Sequence, residues 1–157
     1  MCRRPNTDGT VTLSIALPDT GTGAYLVLCQ VVAEVLGLPF DSVHIEVLST
    51  DAFASDSGVG GSRVTHTGGQ AAYHAAEALK EQILAEAKKL GTPGASLAAI
   101  AQAAARGGKA LEASYFYDAK AHGAITCFSA QVAEVAVDPT TGQLTVRRFT
   151  TAHDVGT

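Results

Sequence analysis

The chain has 157 residues, 46% of them hydrophobic and only 17% charged, with a formal net charge of −4. That is the length of one domain with room for a real core, and it is too apolar for disorder. The acidic balance, with no run of Lys or Arg, excludes a nucleic-acid-binding face. Charged residues fall below the typical ~25%, so part of the surface is expected to be covered by something else.

Cys2, Cys29 and Cys127 lie far apart with no Cys-x-x-Cys pair, and read as reduced thiols. His44, His66, His74, His122 and His153 show no zinc-ligand spacing, so no metal is expected on protein side chains. No apolar run approaches the ~18 residues of a membrane span, and no signal-peptide pattern opens the chain. The expectation is a soluble, cytoplasmic protein with neither membrane nor nucleic acid as partner.

In chain order, Arg3-Arg4 reads as a solvated tail, and Asn6-Thr7-Asp8-Gly9 is a turn signal. Val11, Leu13, Ile15 and Leu17 then alternate as a strand, but the residues before Asn6 supply no convincing partner. A first glycine loop follows, Pro18-Asp19-Thr20-Gly21-Thr22-Gly23. Ala24 to Leu36 reads as a helix stopped by Gly37 and Pro39. Its apolar residues run almost all the way round, which predicts burial on most sides. Gln30 and Glu34 interrupt it, four apart on one face. Gln30 lies two turns below the glycine loop; it either pins neighbouring backbone or braces the loop, and both readings stay open.

Val43, Ile45 and Val47 alternate with His44 and Glu46 as a half-buried strand, and Ser49–Ser57 shows no regular pattern. The second glycine loop is Ser57-Gly58-Val59-Gly60-Gly61-Ser62-Arg63, running through Val64-Thr65-His66-Thr67 into a long alanine-rich helix. Glycines let backbone approach a ligand closely, and Ser62, Thr65 and Thr67 offer hydroxyls where a helix leaves its first amides unpaired. With Arg63, these amides make a seat for a phosphate or another anion; a flexible loop before an ordinary helix remains the alternative. The helix carries Ala72, Ala75, Ala76, Leu79, Ile83, Ala87 and Leu90 on one stripe. Tyr73 and His74 read as packing or surface residues.

Gly91-Thr92-Pro93-Gly94 breaks the chain, and Leu97, Ile100, Ala101 and Ala104 make a short helix capped by Ser96 and closed by Gly107-Gly108. Strands are predicted over Leu111–Tyr117, Ile125–Val137 and Gln143–Ala152, the last two joined by the turn Asp138-Pro139-Thr140-Thr141-Gly142. Both ends read as cut, which suggests a fragment of something longer.

Taken together, these motifs resemble the molybdenum-binding subunit of the xanthine dehydrogenase and aldehyde oxidase family, aerobic carbon monoxide dehydrogenases included. The resemblance runs through Asp19-Thr20-Gly21-Thr22-Gly23, Gln30-x-x-Ala33-Glu34-x-x-Gly37-Leu38-Pro39, Gly60-Gly61-Ser62-Arg63, Val135-Ala136-Val137-Asp138-Pro139-Thr140-Thr141-Gly142 and Ala152-His153-Asp154-Val155-Gly156. No single motif is specific, but their order and spacing are. The resemblance implies a molybdopterin, in some members the cytosine dinucleotide form, carrying molybdenum through the pterin's dithiolene. It implies hydroxylation next to nitrogen, or aldehyde oxidation, with water as the oxygen source. Gly21, Thr22, Gly23, Gln30, Gly60, Gly61, Ser62, Arg63 and Thr65 would contact the cofactor. Thr22 stands where the family loop usually has glutamine, which leaves the substrate class open.

The family's catalytic glutamate, in a Gly-x-Gly-Glu motif near the C-terminus of the subunit, has no counterpart here. The resemblance therefore implies a single cofactor-binding domain over residues 1–157, with no turnover alone. Its partners would be the rest of the molybdenum subunit and iron-sulfur and FAD subunits or domains, with self-association through exposed apolar faces. The expected fold is α+β, a mixed or antiparallel sheet with two long helices and one short one. A scaffold module that keeps the fold without the chemistry is the rival reading; an unrelated phosphate-binding enzyme is disfavoured, since no Gly-Lys-Ser/Thr or strand-Gly-x-Gly-x-x-Gly unit is present.

Overall fold

The computed structural model describes residues 2–52, 58–91, 94–122 and 128–154. Cys127, Val155 and Gly156, which the sequence singles out, lie outside these, as does part of the loop after Ser49. The chain divides into two compact units, Met1–Asp118 and Ala119–Thr157. The architecture is α+β, as the sequence predicts.

In the first unit, β1 (Cys2–Pro5), β2 (Val11–Ile15), β3 (Val43–Val47) and β4 (Ala113–Ser114) form a mixed sheet in the order β3-β2-β1-β4. β2 is antiparallel to β1 and parallel to β3, with Ile15 opposite Val47. Parallel neighbours need a crossover, and α1 (Ala24–Leu36) supplies it. α2 (Val64–Leu90) and α3 (Leu97–Arg106) complete the unit.

The core gathers around β2. Val11, Leu13 and Ile15 are fully buried and cluster with Leu28 and Val32 of α1, Ala72, Ala76 and Leu79 of α2, and Ile100 and Ala104 of α3. The alanines of α2 let helix backbones come close, so a helix of moderate hydrophobicity still fills its side of the core. Ser96 caps α3, its hydroxyl accepting from the Ala99 amide at 3.3 Å.

Two expectations are corrected here. Cys-Arg-Arg-Pro is a poor strand by propensity, yet it is β1, the missing partner of β2, because it sits between two other strands and tertiary pairing overrides local preference. Arg4 therefore belongs to the sheet, 3.6 Å from Glu46, rather than to a tail. The predicted strand over Leu111–Tyr117 shrinks to two residues, because β1 offers only Cys2 and Arg3 to pair with it. α1 is buried or half-buried on most sides, as its composition predicts: Leu28, Cys29, Val32 and Ala33 are buried, Tyr25, Val31, Val35 and Leu36 pack partly buried against the core, and the exposed stripe is Gln30 and Glu34 with Leu26, which is 58% exposed.

Side chains tie the helices together beyond apolar contact. Lys80 donates to the Val35 carbonyl at 2.8 Å, and Gln82 brackets the Glu112 backbone, donating to its carbonyl at 2.8 Å and accepting from its amide at 3.2 Å. Lys89 and Lys109 both donate to the same oxygen of Glu86, at 3.1 and 3.3 Å. Those bonds, the one from Lys89 first, hold the Glu86 carboxyl below the usual range. A depressed carboxyl stabilises the fold above the ordinary value of about 4.3, and that contribution fades as pH falls through the lowered one. Glu86→Gln should thus melt lower than wild type at pH 7, with the gap closing under acid. A gap that persisted unchanged at pH 3 would mean that packing, not charge, carries it.

The second unit is the hairpin of β5 (Ser129–Val137) and β6 (Leu144–His153), antiparallel with a bulge between Glu134 and Val135. Asp138 locks its turn, accepting from the amides of Thr140 at 2.7 Å and Thr141 at 3.2 Å, and these bonds lower its carboxyl below the usual range. The register puts Ala133, Val135 and Val137 on one face with Phe149, Val146 and Leu144 opposite them, while Glu134 faces Arg148 on the other. All but Ala133 among those six are large exposed hydrophobics; Phe149 is 59% exposed.

Candidate functional site

Both glycine loops leave the sheet at the same place. The first follows the C-terminal end of β2 and the second lies in the segment after the C-terminal end of β3, and those ends are neighbours. The Leu48 amide extends the pairing by donating to the Ile15 carbonyl at 2.9 Å. In sheets with parallel strands, ligands bind outside the carboxyl ends of the strands. Here the two loops form a cleft of about 480 Å³ lined by Thr20, Thr22, Ala24, Val27, Val59, Gly60, Ser62, Val64 and Thr65.

Each loop ends at a helix N-terminus that lacks a side-chain cap. The cap position before α1 is Gly23, in the left-handed region at φ 74°, and the one before α2 is Arg63; neither makes a side-chain cap bond. The hydroxyls expected to cap α2 do not: Thr67 donates backward to the Arg63 carbonyl at 3.1 Å. The first amides of both helices, 24–26 and 64–66, are thus left to water or a ligand, and both helix dipoles present their positive ends. None of the nine lining residues is ionisable, so the wall keeps one protonation state across the physiological range. It can offer hydroxyls, amides and partial positive charge to an anion.

Of the residues singled out in the sequence, Thr22, Gly60, Ser62 and Thr65 line the cleft together. Gly21, Gly23, Gly61 and Arg63 belong to the same two loops without lining it. The Arg63 guanidinium donates to the Gly58 carbonyl at 3.2 Å, across its own loop. Gln30 is exposed on the outward stripe of α1, two turns, roughly 10 Å, below the loop, and does not line the cleft. Sequence reasoning missed Thr20, Ala24, Val27, Val59 and Val64 as wall residues. Thr20 lies within the first glycine motif and could have been found there; the three valines look like core until the loops are folded.

Gly60 and Ser62 show why this wall has its sequence. A Cβ at Gly60 would meet nothing within 4 Å, so small size there keeps the cleft open rather than relieving a clash within the chain. Ser62, at φ 54°, is the one non-glycine residue with positive φ among the described residues. Left-handed backbone costs roughly 1–2 kcal/mol, and here it is maintained at the cleft wall, where strain tends to accompany function.

Among the described residues no group of His, Cys, Asp and Glu could hold a metal ion. A family model described as molybdopterin cofactor-binding domain matches residues 4–157. The chain belongs to that family.

This molybdopterin cofactor-binding domain is 31% identical, over 156 residues, to the aldehyde oxidoreductase molybdenum-binding subunit PaoC of Escherichia coli K12. The match takes in 90% of this chain and 21% of PaoC. Carbon monoxide dehydrogenase from Oligotropha carboxidovorans is similar in structure, with a TM-score of 0.78 and 26% identity over 99% of this chain and 22% of that one. Quinoline 2-oxidoreductase from Pseudomonas putida 86 shares the fold, with a TM-score of 0.78 at 23% identity over 99% of this chain and 23% of that one. The domain spans about a fifth of the length of these relatives. The sequence resemblance to the xanthine dehydrogenase and aldehyde oxidase family is thereby borne out. No described helix is long and apolar enough to cross a membrane.

Proposed function

We propose that this domain holds the anionic end of a molybdenum-carrying molybdopterin, in its dinucleotide form, within an oxidoreductase that hydroxylates N-heterocycles or oxidises aldehydes. The observation that carries this reading is the convergence of both glycine loops and both uncapped helix N-termini on one cleft. The residues fit such a group. Thr20, Thr22, Ser62 and Thr65 present hydroxyls, and Gly60 leaves room for close approach. The first amides of α1 and α2 suit phosphate oxygens. Gly21, Gly23 and Gly61 set the loop backbone, and Arg63 holds the second loop while its charge adds to the potential. When bound, the cofactor supplies the redox chemistry; this chain's share is binding, orientation and shaping of the site.

In this reading the domain does not turn over alone, since its wall contains no carboxylate to act as general base. The remainder of the molybdenum subunit supplies that base, and iron-sulfur and FAD centres in the same assembly take the electrons. The apolar face of the β5-β6 hairpin packs against that remainder, because a two-stranded hairpin is marginal without a further layer. Exposed in the isolated domain, it drives self-association; Val146→Lys together with Phe149→Lys should reduce the scattering mass at high concentration, and an unchanged mass would place the sticky surface elsewhere. Cys29, a buried thiol in no disulfide, suits a reducing cytoplasm.

The test is molybdenum and pterin content, with native mass, of the chain purified from a host that makes the cofactor. Stoichiometric molybdenum and pterin, alone or with a co-purifying chain, supports cofactor binding. Neither metal nor pterin in any assembly would leave a scaffold module with the fold but not the chemistry.

A further inference from the structure

The first glycine loop has no regular structure to hold it, and Gly21 and Gly23 both adopt left-handed backbone at φ 74°, the conformation in which glycine is free to leave as easily as to stay. Its internal support is one local bond, from the Gly21 amide to the Asp19 carboxylate at 2.9 Å. Yet Thr20 and Thr22 on this loop form one wall of the cleft. Something must hold that wall in register with the other.

The Tyr25 side chain spans the loop's base. From the first turn of α1 it reaches back toward the helix N-terminus, as helical side chains do, and its hydroxyl donates to the Leu17 carbonyl at 2.6 Å. Leu17 is itself buried just beyond β2, so its carbonyl is fixed to the sheet. The ring packs against the hydrophobic core. Residues 18–24 are enclosed between the two bonded groups. Burial, and then the nearby Asp19 carboxylate, push the phenol above its usual value, which keeps it a donor at any physiological pH. The second loop uses the same device, with Arg63 reaching back to the Gly58 carbonyl at 3.2 Å.

We propose that Tyr25 is a positioning residue for the cleft: by tying α1 to the Leu17 carbonyl it fixes the loop that presents Thr20 and Thr22 to the ligand. Its functional content rests on the reading of the cleft as the seat of the cofactor's phosphates. Tyr25→Phe removes one oxygen from a ring that stays packed, so the chain folds. The experiment compares full-length wild type and Tyr25→Phe by backbone relaxation, and by titration with inorganic pyrophosphate followed at the amides of 20–24 and 60–65. In the variant, order parameters of 20–24 are expected to fall from about 0.85 toward 0.6 while those of β2 and α2 stay put. The pyrophosphate dissociation constant rises by up to about tenfold, the effect of one lost hydrogen bond.

Wild-type order parameters at 20–24 in the variant overturn the proposal, whatever pyrophosphate does. A loss of order spread evenly over α1, α2 and β2 overturns it too, since the hydroxyl would then serve stability in general. An ordered-to-mobile change at 20–24 with no pyrophosphate response in wild type supports the positioning role and counts instead against the reading of the cleft.

Discussion

Gly60→Val should strip the cofactor from this domain and leave its fold intact. The position lines the cleft, its φ lies outside the left-handed region, and an added Cβ meets no atom of the chain within 4 Å. The new methyls therefore occupy the space a ligand needs and nothing else. Overpacking of that kind costs about 1–3 kcal/mol or more, so retained molybdenum and pterin should fall by at least about tenfold in the assembly that holds them, with a melting temperature within about 2 °C of wild type. Gly61→Val is the informative contrast, because Gly61 sits at φ 59°. Valine there adds backbone strain of roughly 1–2 kcal/mol, and stability should drop along with the cofactor. Undiminished pterin in Gly60→Val would move the binding site away from this cleft.

The largest stability loss from a single truncation in α2 is expected at Leu79. Its other buried positions are Gly68, Gly69, Ala71, Ala72, Ala75 and Ala76, so Leu79 is the one large side chain of this helix that is fully buried, Val64 and Ile83 packing only partly buried against the core. The alanines around it cannot expand to fill a void, and the helix is anchored too closely to shift. Leu79→Ala should cost about 3 kcal/mol within the usual range of 2–5, and lower the melting temperature by roughly 6–12 °C for a chain of this size. Leu84, one and a half turns on and 60% exposed, should tolerate alanine within about 0.5 kcal/mol. Similar losses at the two positions would show that the α2 packing is wrong.

Much of this was legible in the sequence, for reasons that differ by element. α1 ends where Gly37 allows a left-handed cap with its amide reaching back to Ala33 and Glu34, a local signal that any context reads the same way. The Asp138 turn and the Ser96 cap are equally local. β1 was not legible, because what makes Cys2–Pro5 a strand is the presence of β2 and β4 on either side. On α1 the exposed face of Gln30 and Glu34 was legible, but Leu26, which extends it, was not, because it looks like core. Periodicity reports what is apolar, not what is covered. At the site, the residues alone named the two glycine loops and only the family resemblance joined them, since their meeting depends on β2 and β3 lying parallel, a fact of topology. The valines of the wall and the Tyr25 bond follow only from that meeting.

The place of β1 in the sheet has a consequence for how the protein is made. Its partner β4 pairs Ala113 with Arg3, so one edge of β1 waits for a segment synthesised 110 residues later. At cellular translation speeds that is about 5–20 s, during which the nascent chain carries an open strand edge on the ribosome. Charge and proline on an edge discourage pairing with strangers, and β1 carries Arg4 and Pro5 in four residues. The strand that looked least like a strand is suited by that same composition to waiting unpaired without aggregating.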